Sequence, residues 1–124
     1  MKTIMIVDDS RIMRNIVRNI FELLKIPVNY LEADNGKKAL ELLLNNPVDL
    51  VLLDWNMPGL SGIDFLKQVR AIEKFRNLPV IMVTSESSKL NVVEAVKAGV
   101  TAYITKPIKE EIFMRKISMY INQE

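Results

Sequence analysis

The side chains able to do chemistry in this chain stand at the ends of short apolar runs. Ile4–Val7 stops at Asp8-Asp9, Leu50–Leu53 at Asp54, Val80–Val83 at Thr84, and Ala102–Thr105 at Lys106. That makes three carboxylates, a hydroxyl and an amine. The chain has no histidine and no cysteine, which excludes His-based triads, thiolate nucleophiles and imidazole or thiolate metal sites. What remains is oxygen chemistry. Three carboxylates brought together repel one another unless a cation or Lys106 offsets them. Oxygen-only ligands indicate a hard ion, and Mg2+ suits a few carboxylates with waters and phosphate oxygens. A divalent ion beside a carboxylate, a hydroxyl and a lysine is a set suited to phosphoryl transfer. The carboxylate attacks, the cations neutralise the oxygens of the transferred group, and the hydroxyl hydrogen-bonds one of them. With no histidine to activate a hydroxyl, a carboxylate is the competent nucleophile and an acyl phosphate the product. Asp54 is the better candidate, because the Pro58-Gly59 turn after it leaves its tip open. Asp9 has a second reading, as a cap for the helix that follows.

These groups meet only if the apolar runs are neighbouring strands of one sheet. Uninterrupted apolar runs bounded by turns suit strands buried on both faces, as in a parallel sheet. Thr3–Val7 reads as the first strand. Ser10 or Asp9 caps an amphipathic helix from Arg11 to Lys25, with Ile12, Ile16, Ile20 and Leu24 beside Met13, Val17 and Phe21 on its apolar face. Pro27 stops that helix. Val28–Ala33 is a less apolar strand, suited to a sheet edge, and Asn35-Gly36 turns into a helix over Lys37–Asn45 with Ala39, Leu40, Leu43 and Leu44 inward. Leu50–Leu53 is the third strand. Ser61-x-x-Asp64 resembles a capping box and opens a helix to about Phe75 that buries Ile63, Leu66, Val69 and Ile72. Val80–Val83 is the fourth strand. A helix from about Ser88 to Ala98 is closed by Gly99. Ala102–Thr105 is the fifth strand, and a last helix over Lys109–Asn122 buries Ile112, Phe113, Ile117, Tyr120 and Ile121. Five strands alternating with five helices predict an α/β fold: a five-stranded parallel sheet, flavodoxin-like, strand order 2-1-3-4-5, helices on both faces. In that order the four reactive strand ends line one crevice, where open α/β sheets bind ligands.

Size and charge narrow the classes. At 124 residues and 14.2 kDa the chain suits one domain, residues 1–124. Seventeen basic against 15 acidic residues give a net charge of +2, too balanced for a nucleic-acid binder. No N-terminal signal pattern is present, and no apolar run approaches the ~20 residues of a membrane helix. The expectation is a cytoplasmic protein with no membrane and no nucleic-acid partner.

Asp8-Asp9, Asp54, Thr84 and Lys106-Pro107, at these spacings, resemble the motif set of the bacterial two-component response-regulator receiver family over the whole chain. Val7–Ser10 with Met13-Arg14, Asp54–Pro58, Met82–Thr84 and Tyr103 resemble its chemotaxis regulators in particular. The resemblance implies a single-domain response regulator that takes a phosphoryl group on Asp54 from a sensor histidine kinase or a histidine-phosphotransfer protein. It implies that Asp9, Asp54 and the Asn56 carbonyl bind Mg2+, with Asp8 acting through water, and that Thr84 and Lys106 contact the phosphoryl group. Thr84 and Tyr103 become a switch that alters the face built from helix four, strand five and helix five. Asn56 and Glu86 become tuning positions, a pair implying a short-lived phosphoryl group. The Lys106–Pro107 bond is expected to be cis, and the flagellar motor switch and a phosphatase to be partners. Ser10 departs from the aromatic residue of the chemotaxis regulators, and Ser87-Ser88 from their polar or basic residues.

Other features keep two readings. Trp55 is either a packing residue or a functional one beside the site, and Arg11, Arg14 and Arg18 form either a solvated stripe or a docking surface for a phosphodonor. A phosphorelay shuttle is the alternative function. An aspartyl-phosphate hydrolase of the haloacid-dehalogenase type is disfavoured, since those use Asp-x-Asp and a cap domain for which this chain leaves no room. A transcription-factor fragment is disfavoured too, because no helix-turn-helix follows Glu124.

Overall fold

The computed structural model describes residues 1–86 and 88–121; Ser87 of the Ser87-Ser88 pair and Asn122, the expected last residue of the final helix, lie outside them. Strands β1 (Lys2–Val7), β2 (Val28–Ala33), β3 (Leu50–Leu53), β4 (Val80–Thr84) and β5 (Ala102–Thr105) alternate with helices α1 (Arg11–Leu23), α2 (Gly36–Asn45), α3 (Gly62–Ala71), α4 (Lys89–Lys97) and α5 (Glu110–Ile121). The sheet is parallel throughout, in the order β2-β1-β3-β4-β5. This is the expected flavodoxin-like arrangement, and β2, the least apolar strand, lies at an edge.

The apolar runs are continuous because both faces of the sheet are covered. Met5, Val7, Val51, Leu53, Val80 and Met82 point into one core layer with Leu43 of α2 and Phe65, Leu66 and Val69 of α3. Ile4, Ile6, Leu50, Leu52, Ile81 and Val83 point into the other, against Phe21 of α1 and Phe113 and Ile117 of α5. Successive residues of a strand face opposite layers, so Ile4–Val7, Leu50–Leu53 and Val80–Val83 leave no position for a polar residue before the strand ends.

Four helices start on side-chain caps. Ser10, Asn35, Ser61 and Ser88 accept hydrogen bonds from the backbone N–H of Met13, Lys38, Asp64 and Asn91. Each satisfies one of the orphan donors of the first turn. Of the two residues able to cap α1, Ser10 does so, which leaves Asp9 free for other work.

The structure corrects several helix readings. α1 ends at Leu23, two residues early, because Lys25 takes a left-handed conformation (φ 57°) and closes a Schellman turn. Its Ile26 N–H reaches Phe21 O and its Lys25 N–H reaches Glu22 O. The buried stripe of α1 is Val17, Ile20 and Phe21, while Ile12 is 73% exposed and Ile16 and Leu24 also face outward. A four-residue spacing drifts off a 3.6-residue helix, so the outer members of that series leave the buried face. Leu44 on α2 and Ile112 on α5 are exposed for the same kind of reason, each sitting beside the true stripe. α3 stops at Ala71, where Ile72 becomes extended, and a separate 3-10 turn at Glu73–Phe75 buries Phe75.

Candidate active site

Register brings the reactive ends together. Val7 pairs with Leu53, Leu53 with Met82, and Thr84 with Thr105, so Asp8, Asp54, Thr84 and Lys106 follow at adjacent strand ends. Asp54 extends the ladder by donating its N–H to Val7 O at 2.9 Å. Asp8, Asp54 and Thr84 are the buried polar residues of the described chain, at 6%, 6% and 1% exposure. Asp9 beside them is exposed. One carboxylate oxygen from each of Asp8, Asp9 and Asp54 lies within 4.8 Å of the other two.

Lys106 is the counterion of this cluster. Its Nζ donates to Asp8 Oδ2 at 2.9 Å and lies 3.6 Å from Asp54 Oδ1. Asp8 Oδ1 accepts from Ser10 N–H, and Asp54 Oδ1 from Trp55 N–H, both at 2.9 Å. Even so, the Asp54 carboxyl is held above its ordinary range, first by burial and then by the Asp8 charge, against which Lys106, the Thr84 hydroxyl and the Trp55 N–H pull it down. One lysine does not offset three carboxylates. A hard cation would, and an all-oxygen donor set within 4.8 Å fits Mg2+.

The loop after β3 is pressed flat against α3. Gly62 N–H donates to Trp55 O at 2.8 Å, and a Cβ on Gly62 would stand 2.0 Å from Asp54 O. Gly59 turns the loop at φ 77°. A shallow cavity of about 400 Å3 opens beside the carboxylates, lined by Asp9, Trp55, Asn56, Met57, Pro58 and Ser61. Trp55 is half-buried against the core layer below it.

Across the crevice, Glu86 joins the expected tuning and switch positions. Its carboxylate accepts from Asn56 Nδ2 at 3.3 Å and from Asn91 Nδ2 at 2.8 Å. Its N–H donates to Thr84 Oγ1 at 3.3 Å, and its carbonyl accepts from the Tyr103 hydroxyl. Burial, with the charges of Glu86 and Asp54, raises the Tyr103 phenol above its ordinary value. The Lys106–Pro107 bond is cis.

Comparison with known proteins gives this geometry its family. Residues 4–118 match the response regulator receiver domain. The chain belongs to that family. The receiver domain is 44% identical over 114 residues to the chemotaxis protein CheY of Pseudomonas aeruginosa, covering 92% of this chain and 91% of that protein. It is 45% identical to CheY-3 of Vibrio cholerae over 92% of this chain and 87% of that one. Among solved structures, Vibrio cholerae CheY4 superposes with a TM-score of 0.87 at 28% identity, covering 97% of this chain and 98% of the other. This is a CheY-like response regulator fold, and no described helix of it is long and apolar enough to cross a membrane.

All the receiver's expected site residues therefore lie at one end of the sheet, with Asp8, Asp9, Asp54 and Lys106 in direct array and Asn56, Glu86 and Tyr103 linked to Thr84 through Glu86. The arginine stripe of α1 is less free than it looked. Arg14 and Arg18 both pair with Glu32 at 2.9 Å, and Arg18 lies 4.7 Å over the Tyr30 ring, so neither is a loose surface charge. Sequence reading missed Asn91 as a partner of Glu86 and Glu32 as a partner of the arginines. Only the register of β2 with α1, and the depth to which α4 reaches, could have signalled either.

Proposed function

We propose that Asp54 is the phosphoacceptor of a two-component pathway, taking its phosphoryl group from a histidine of a sensor kinase or phosphotransfer protein. The observation that carries this is a buried, electrically crowded carboxylate beside a lysine, with the neighbouring residues Asp9, Trp55 and Asn56 lining a cavity next to it. An Asp54 carboxylate oxygen forms the new O–P bond as the donor's N–P bond breaks, and the imidazole leaves with that electron pair. Lys106 and Thr84 meet two of the three equatorial oxygens, since both already border the carboxylate. Asp9, Asp54 and the Asn56 carbonyl, with Asp8 through water, would hold Mg2+, which would supply charge neutralisation on the phosphoryl oxygens. Hydrolysis at the same site returns the aspartate, with Asn56 and Glu86 flanking the approach of water. A phosphoryl oxygen that draws the Thr84 hydroxyl breaks its bond to Glu86 N–H, and Tyr103 is released from the Glu86 carbonyl. The face of α4, β5 and α5 then changes for a target protein. Likeness to CheY proteins favours a chemotaxis role with the flagellar motor switch as target and a phosphatase as a further partner.

Incubation with acetyl phosphate and Mg2+, followed by intact-mass measurement, tests the assignment. One phosphoryl group is expected on the wild type and none on Asp54→Asn. Stoichiometric labelling of Asp54→Asn would refute it.

A further inference from the structure

Asp9 is the least supported ligand of the proposed cation, being exposed, and what orients it is the peptide group before it. That peptide's carbonyl, Asp8 O, accepts from Arg14 Nη1 at 2.6 Å. Arg14 is itself held from behind: its Nε donates to Glu32 Oε1 on β2 at 2.9 Å, and the other oxygen of Glu32 takes Arg18. A planar guanidinium gripped at Nε by a carboxylate has its remaining N–H groups fixed in direction. Here they are aimed at the Asp8–Asp9 peptide, with Arg14 itself largely buried, at 15% side-chain exposure.

We propose that Arg14, braced by Glu32, is a positioning residue for divalent-cation binding: it sets the Asp8–Asp9 peptide so that both carboxylates face Asp54. The proposal rests on the metal reading of the site given above. It concerns affinity for the ion, and places Arg14 in no contact with the phosphoryl group. Partners that orient metal ligands from behind are worth about 10–100-fold in affinity when removed, and a contact made through the backbone belongs at the low end.

Charge and position predict opposite signs, which makes the test sharp. Removing a nearby positive charge should tighten Mg2+ if electrostatics alone connects Arg14 to the site. Loss of positioning should weaken it. Mg2+ titration followed by Trp55 fluorescence, on wild type, Arg14→Met, Arg14→Lys and Arg18→Met, separates the two. Arg14→Met is expected to weaken Mg2+ about tenfold, and Arg14→Lys several-fold despite its retained charge. Arg18→Met loses Glu32 and the Tyr30 ring but not the Asp8 carbonyl, and should stay within about twofold of wild type even where thermal unfolding in EDTA shows it less stable. Labelling by acetyl phosphate at saturating Mg2+ should proceed at the wild-type rate in Arg18→Met. Should Arg14→Met fail to fold, Arg14→Lys against Arg18→Met carries the same comparison. Unchanged or tighter Mg2+ binding in the Arg14 variants, or equal weakening in Arg18→Met, would overturn the proposal. A wild-type chain that does not respond to Mg2+ would instead overturn the metal reading beneath it.

Discussion

The two walls of the crevice are fixed in place to very different degrees. On the β1 wall every polar group of Asp8 has a partner: its N–H donates to Ala33 O, its carbonyl accepts from Arg14, and its two carboxylate oxygens accept from Ser10 N–H and Lys106. Behind that wall α1 is clamped by Phe21, which meets Tyr30 and Phe113 edge-on at 6.3 and 5.7 Å. On the β4–β5 wall Thr84 is buried, and among the described residues of the loop beyond it Glu86 carries the bonds to Asn56, Thr84, Asn91 and Tyr103. The helix that follows, α4, buries one residue, Ala95, and leaves Leu90 82% and Val96 62% exposed. Segments with few buried apolar contacts open at low free-energy cost. The wall that would hold the cation is therefore pre-formed, and the wall facing the proposed output surface is the one free to move.

The largest expected effect comes from damaging the floor that both walls share. Gly62 leaves no room for a methyl group, since its Cβ would meet Asp54 O at 2.0 Å. Gly62→Ala should cost about 3 kcal/mol in denaturant unfolding, at the upper end of overpacking penalties, and should weaken Mg2+ binding with it. A loss under 1 kcal/mol would show that the β3–α3 loop has slack, and that the β1 wall is less rigid than its bonds suggest.

Lys106 spans the gap between walls, so its removal should separate them. Lys106→Met takes a cation away from Asp8 and Asp54, and Mg2+ affinity should rise about tenfold, the scale of a neighbouring charge on a carboxylate. Phosphorylation by acetyl phosphate should persist while target binding is lost. Weaker Mg2+ binding in this variant would mean that Lys106 organises the carboxylates, and that the β1 wall needs the far side to keep its shape.

Asp54 sits between the walls and carries a cost that can be measured without metal. Its folded-state pKa lies above the unfolded value near 3.8, so the folded chain binds the proton more tightly. Stability from this group is fully present below about pH 3.8 and is lost as pH rises through the folded value. In EDTA at neutral pH, Asp54→Asn should therefore unfold a few °C above wild type, with the gap closing as pH falls. With Mg2+ the order should reverse, because the ion stabilises only the carboxylate form. An Asn variant less stable than wild type in EDTA would show that Lys106 and the loop N–H groups already outweigh burial.

Much of this was legible from residue order because the determinants are local. Polar residues ending four apolar runs marked the strand termini, and the parallel fold class then forced those termini together. Cap signals at Ser10 and Ser61 needed no tertiary knowledge. What could not be read is whatever depends on how elements rotate about their axes. Ile12 and Ile16 have the right type for a core and the wrong azimuth, while Arg14 and Arg18 have the right type for a solvated stripe and turn out to grip Glu32 on an edge strand. The Glu86–Asn91 bond likewise depends on how close the start of α4 comes to the end of β4, which no spacing encodes.

The smallest effect is the most discriminating for the difference between walls. Tyr103→Phe removes one hydroxyl, and with it the bond to the Glu86 carbonyl; the ring keeps its place against the core layer. A single such bond on a part-exposed loop is worth about 0.5 kcal/mol, too little to disturb the fold. Its loss should be felt where stability is already low. Amide exchange should quicken by about twofold, the kinetic equivalent of that energy, at Glu86 and at Ser88–Asn91. Amides of α1 and Mg2+ affinity should not move. If α1 exchange quickens as much as α4, the two walls open as one cooperative unit. The crevice would then have no fixed side, and a shift at Thr84 would reach the cation ligands as readily as it reaches the output face.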